Sequence, residues 1–161
     1  MNGERGWSAG EFAYAGIAGA VGGLVGLTGV YIGKWFSYTY VTGGVNATFY
    51  VNGSQDWTGQ VAFIAGVGAL AFGIAYVLLS DPQIRKVTAA LMGVAGIFLL
   101  AMALLGFTRV DNALGPTPPT PGVAPGTTVT ITQDVAGGLW MSVAGGAVAV
   151  YGAYLAVRRT T

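Results

Sequence analysis

The chain contains no cysteine and no histidine. The first absence removes disulfides, thiolate nucleophiles and cysteine-based metal sites. The second removes the commonest general base, the commonest metal ligand and the usual haem ligand. Charge is almost as scarce, with 7 basic and 6 acidic side chains in 161 residues, 8 % of the chain, and a formal net charge of +1. Soluble domains carry roughly 25 % charged residues, so this chain cannot solvate its surface with ions, and lipid must cover most of it. So small a net charge offers no basic field to nucleic acid. These absences point away from an enzyme, from a bound cofactor or metal, and from nucleic-acid partners.

What is present is apolar: 53 % of residues are hydrophobic and the mean hydropathy is +0.64. Four stretches, Phe12–Gly33, Val61–Leu79, Val87–Phe107 and Val135–Val157, hold no Lys, Arg, Asp or Glu. A bilayer core about 30 Å thick needs about 20 helical residues, so each stretch predicts a transmembrane helix. The first run exceeds the roughly 7–15 apolar residues of a signal-peptide core, so it is expected to stay in the mature protein. The whole chain then forms a single integral membrane domain with outer loops at about 34–60 and 108–134. Arg5, Arg85, Lys86, Arg158 and Arg159 fall on one side of that topology, Lys34 and Arg109 on the other. Five against two predicts that both termini lie in the cytoplasm of a plasma membrane. Tyr14, Tyr31, Tyr76 and Tyr154 fall near the span ends and read as interfacial belt residues.

The short inner connection Ser80-Asp81-Pro82-Gln83 predicts a tight hairpin of spans two and three. Asp81 or Ser80 would cap the third helix and Pro82 would occupy its first turn. The outer loops differ. In the first, Trp35–Val41 and Val45–Val51 are rich in aromatic and β-branched residues and flank Gly43-Gly44, the pattern of a β-hairpin. The second opens with a proline tract, Gly115–Gly122, suited to extended chain. It continues as Thr127–Gln133, a predicted strand. Two strands alone are marginal in water, so this strand is expected to join the hairpin. The fold expected is an all-α four-helix transmembrane bundle, both termini inside, with a small extracytoplasmic cap of about three antiparallel strands.

Glycine is the second strong signal, with 28 residues. Gly19/Gly23, Gly22/Gly26 and Gly29/Gly33 recur at small-xxx-small spacing in the first span, and Gly138, Ser142, Gly145 and Gly146 repeat the theme in the fourth. Such residues let helices approach closely in lipid. They either pack the bundle internally or present a glycine-lined face to a partner helix or second copy.

Among the outer residues, Trp35, Phe36, Tyr38, Tyr40, Phe49, Tyr50 and Trp57 make a dense aromatic set, the type of residue that anchors protein interfaces. Lys34 and Arg109 either snorkel and pair locally with Asp56, Asp111 or Asp134, or bind anionic lipid headgroups. Asn46-Ala47-Thr48 and Asn52-Gly53-Ser54 are glycosylation sequons. Asn52, placed in a turn, is expected to be the better acceptor.

Four spans, a β-rich first outer loop and one strand in the second resemble the claudin-like tetraspan layout. The resemblance is one of topology. The claudin first-loop disulfide has no counterpart here, and Gly138-Leu139-Trp140 falls in the fourth span rather than the first loop, so no residue role carries over. The Ala/Gly/Val-rich composition looks like that of small four-span proteins of high-GC bacteria. With no chemistry in the spans, the expected function is association. The first expectation is a non-enzymatic accessory or scaffolding subunit of a larger membrane complex. The alternatives are a homo-oligomeric claudin-like envelope or intercellular assembly protein, and an oligomeric pore or carrier.

Overall fold

The computed structural model describes residues 9–42, 45–109 and 130–160. Arg5, the Gly43-Gly44 turn, Asp111, the proline tract and residues 127–129 lie outside the described residues. Four helices, α1 (Ala9–Tyr31), α2 (Trp57–Leu78), α3 (Pro82–Phe107) and α4 (Gly137–Thr160), are each long and apolar enough to cross a membrane. Three strands, β1 (Lys34–Thr42), β2 (Val45–Asn52) and β3 (Thr130–Val135), form one antiparallel sheet in the order β2-β1-β3.

The helix ends follow from local chemistry. The Asp56 carboxylate accepts the Thr58 amide at 3.1 Å, so α2 starts at Trp57, four residues before its uncharged run. Asp81 accepts the amides of Gln83 and Ile84 at 2.8 and 3.1 Å, and Pro82 sits in the first turn of α3, where a missing amide hydrogen costs nothing. At the end of α1 the Thr28 carbonyl accepts both Ile32 and Gly33 amides, closing the helix before β1. The fourth apolar run was expected to be helical from Val135, but Val135 ends β3. The Ala136 amide then donates to the Trp35 carbonyl at 2.8 Å, continuing the ladder, and α4 starts only at Gly137.

Neighbours in sequence are neighbours in space. Helix α1 packs on α2 and α4, and α3 closes the ring against the same two, leaving the diagonals with slight contact. Small residues such as Ala15, Ala69 and Ala89 are buried, while Ile17, Leu24, Ile64, Ile97 and Phe98 face outward. This inverts the pattern of a water-soluble bundle, whose large apolar side chains fill the centre. It suits a bundle whose exterior is lipid and whose interior depends on close backbone approach.

The two ends of the bundle are closed differently. At the end away from the sheet, Tyr76 and Met92 are buried among Ala15, Ala89, Ala153 and Ala156. Tyr76 was expected in an interfacial belt; instead it is fully buried, and its hydroxyl donates to the Ala156 carbonyl at 3.4 Å. It lies on the inward face of α2, so nearness to a helix end did not make it interfacial. At the other end the sheet lies over the bundle, and β1 carries the residues that close it.

Candidate functional site

The cap is built on β1. Its register with β2 slips between Lys34 and Phe36, a bulge that lets two consecutive residues point the same way. Trp35 and Phe36 are therefore both fully buried, and Tyr38 joins them two positions on. These three rings rest on Val30, Ala62, Leu99, Ala103 and Leu139, drawn from all four helices. The Trp35 indole donates to the Gly29 carbonyl at 3.1 Å. Room for the indole comes from Gly53 and Gly106, since a Cβ at Gly53 would fall within 3 Å of it and one at Gly106 would touch it and Leu139. The expectation that Trp35, Phe36 and Tyr38 reach a partner is thus corrected. They are the plug that joins cap to bundle.

The other aromatics are at the surface. Phe49, Tyr50 and Trp57 are 58 %, 51 % and 51 % exposed. Tyr40, partly buried, holds Phe49 edge-to-face with ring centres 5.5 Å apart. Direct partners in the ladder share a face. Phe49 opposite Tyr38 is therefore on the bundle side, beyond the bundle's margin, whereas Tyr50 opposite Ser37 is on the outer side. The outer side is polar: Thr48, Thr39 and Thr132 lie in one row across the strands, with the Thr39 and Thr48 hydroxyls 3.1 Å apart, and Tyr50, Ser37 and Asp134 lie in the next.

The two basic residues of this end, equivalent in the sequence, have different surroundings. Arg109 Nε lies 3.3 Å from Asp56 Oδ1 and its guanidinium stands 5.5 Å from the Trp57 ring. Asp56 is buried and its second oxygen accepts from the Thr58 amide and hydroxyl, so this ion pair ties the start of α2 to the end of α3. Lys34 is exposed, with Nζ 3.8 Å from the centre of the Tyr50 ring. Of the two, Lys34 is the more exposed. The sequons also exchange places. Asn46 is exposed on β2, while Asn52 ends that strand as the N-cap of the 3₁₀ turn Gly53–Gln55 and is partly buried, its amide donating to Gln55 Oε1 at 2.9 Å.

The glycines line two seams inside the bundle. Along α1 and α4, Gly22 and Gly26 face Gly145 and Ala149, while Gly29 and Gly33 face Gly138 and Ser142. The Ser142 hydroxyl donates to the Gly138 carbonyl at 3.0 Å. Along α1 and α2, Gly23 faces Gly66 and Leu70. Gly19 and Gly26 also receive Met92 and Leu99 from α3, and Gly146 lies against Leu100. A Cβ at Gly22 would meet the Ala149 backbone within 3 Å, so the close approach requires glycine there. These faces are consumed within the chain, and the alternative in which they dock a partner helix is corrected. Sequence reading missed Gly16 and Gly73, which meet across α1 and α2. The signal was a seven-residue spacing, Gly16 to Gly23 in α1 and Gly66 to Gly73 in α2.

Outside the bundle, a groove of about 390 Å³ runs between α1 and α2, lined by Leu27, Thr28, Tyr31, Ile32 and Phe63. None of these lining side chains is charged. Among the described residues no cluster of three metal-ligating side chains occurs. Neither a family model nor a curated protein matches the chain.

Proposed function

We propose that this chain is a multi-pass plasma-membrane protein with both termini cytoplasmic, acting as a non-enzymatic accessory or scaffolding subunit that binds other membrane proteins through its cap. Membrane placement is supported by two aromatic belts. Tyr31, Trp57, Phe107 and Trp140 occur at the sheet end of the four helices, and exposed Tyr14, Tyr151 and Tyr154 lie toward the other end. Tyr14 and Tyr31 are separated by about 26 Å of helix at 1.5 Å per residue, close to the thickness of a hydrocarbon core. Orientation is supported by Arg85, Lys86 and Arg158 at the end opposite the sheet, three cations against Glu11 and Asp81. At the sheet end, Asp56 offsets Arg109.

The observation that carries the functional reading is the division of the cap's aromatics. Trp35, Phe36 and Tyr38 fix the cap rigidly to the bundle, and on that rigid base Phe49 and Tyr50 stand exposed. Exposed aromatic side chains on a preorganised base are what interfaces use as anchors, because little ordering entropy remains to be lost on binding. The bundle interior, filled by Met92, Leu99, Leu139 and the glycine seams, supports a structural role over passage of a solute. Gentle detergent extraction followed by native gels and mass spectrometry tests the reading. Partners, or further copies, should comigrate; a monomer with nothing co-purifying would defeat it.

A further inference from the structure

The two edges of the cap are not alike. In the order β2-β1-β3, the central strand is paired on both sides, and β2 pairs with β1 alone among the described residues. Alternate amides and carbonyls of β2 therefore point away from the sheet. Proteins guard such edges with a charge, a proline, a bulge or shortness. The eight residues Val45–Asn52 carry no charge and no proline, the bulge lies in β1, and Asn46–Tyr50 are all exposed. The β3 edge is shorter, six residues, and bears Asp134.

We propose that β2 is the edge through which two copies of this chain join, strand to antiparallel strand, forming one six-stranded sheet above two bundles in the same membrane. The inference rests on the assembly reading above and names its partner. Charge favours a second copy: β2 is neutral, so two copies meet without repulsion, and nothing on it selects a charged partner strand. Symmetry favours it too. Antiparallel strands with the same face up are related by a two-fold axis perpendicular to the sheet. The inner face of this sheet rests on the ends of all four helices, so that axis runs along the bundles and leaves both on the same side. This is the closed, isologous arrangement that two copies in one bilayer require. Phe49 then acquires a role. It lies on the bundle side of β2 yet 58 % exposed. With the axis near Thr48, the two copies of Phe49 become diagonal neighbours, about 7–8 Å apart and within reach of aromatic rings.

The cysteine-free chain makes the test direct. Single cysteines are placed in turn at residues 46, 47, 48, 49 and 50, and the full-length protein is oxidised mildly in native membranes. A disulfide needs Cα atoms within about 7 Å. Two copies of a residue two places from the axis stand about 14 Å apart along the strands, at about 3.4 Å per residue. The expected result is a covalent dimer that peaks at one position and vanishes two residues to either side. Crosslinking that is flat across the five positions, or absent, overturns the proposal. A second variant, Thr48→Lys, puts like charges at the joint while leaving the pairing of β1 and β2 in place. It should weaken the dimer about twofold to fivefold, while Thr39→Ala, which loses the same Thr39–Thr48 hydroxyl contact without adding charge, should leave the dimer intact; a dimer of undiminished strength in Thr48→Lys overturns the proposal. The two readings separate cleanly. A different protein co-purifying without the cysteine peak, or chain residues 110–129 covering the edge, removes the second copy and leaves the assembly role open. Monomer alone removes both.

Discussion

Trp35 concentrates the physics of the cap in one side chain. It is wholly buried, bonded through its indole to the Gly29 carbonyl, and seated against two glycines from different parts of the chain. Trp35→Ala should cost about 3–5 kcal/mol, the range for emptying a large aromatic site. Trp35→Phe keeps most of the packing but orphans the carbonyl, and about 1–3 kcal/mol is expected. Unfolding in detergent, followed by tryptophan emission from the remaining sites, would rank the two; no loss from Trp35→Phe would mean the hydrogen bond contributes nothing, and equal losses that the packing does not. Asp56→Ala removes both the cap of α2 and the partner of Arg109, and should cost about 1–2 kcal/mol. A double-mutant cycle with Arg109→Ala should assign about 1 kcal/mol or less to the pair, since Arg109 is one-third solvated. Residue roles were the least legible part of the sequence. Strict alternation separates Trp35 from Phe36, and only the bulge, a property of two strands together, turns both inward. Lys34 and Arg109 look alike in sequence because Asp56 becomes a neighbour of Arg109 only when α2 and α3 are assembled.

At the scale of elements, four uncharged runs made the helices legible, because each is about as long as a helix that crosses a bilayer core. The hairpin was legible from its aromatic and β-branched arms, and the addition of β3 from the weakness of a two-stranded sheet. Helix ends were not. They are set by Asp56, Asp81 and the ladder bond of Ala136, each outside or at the margin of an apolar run. The seams allow a paired prediction. Gly22→Ala drives a methyl into the Ala149 backbone and should destabilise by about 1–3 kcal/mol. Gly68→Ala finds only the Ala95 methyl at 3.4 Å and the Phe72 ring at 3.7 Å, ordinary contacts, and should be neutral or stabilising by about 0.5–1 kcal/mol. Thermal shift measurements on the two variants decide the matter. Similar gains from both would show that helix propensity, rather than seam geometry, governs these positions.

For the whole molecule, the proposed placement makes Trp57 and Trp140 interfacial. In vesicles, lipids brominated near the headgroup should quench their emission more than lipids brominated near the chain ends, once Trp7 and Trp35 are replaced by Phe. Stronger quenching by the deep label would contradict the belt. Orientation is tested by single cysteines. Ser80→Cys should react with an impermeant maleimide only after cells are opened, and Thr132→Cys in intact cells. The reverse pattern would invert the topology. Fold class and span number were legible here because composition constrains the whole chain at once, whereas the two edges of the cap differ only after the strands have been ordered.

That strand order also has a consequence in time. Phe36 on the central strand is paired on one side by Val51 and on the other by Val135. During synthesis at about 5–20 residues per second, the second of these arrives about 5–20 s after β1 itself. Two further helices, α2 and α3, must be made before the cap can be completed. Until then β1 has one open flank, and the nascent protein carries a second sticky edge that the finished one does not. A ribosome-stalled chain ending before Thr130 should therefore be captured by chaperones of the outer compartment, and release past Val135 should end that capture.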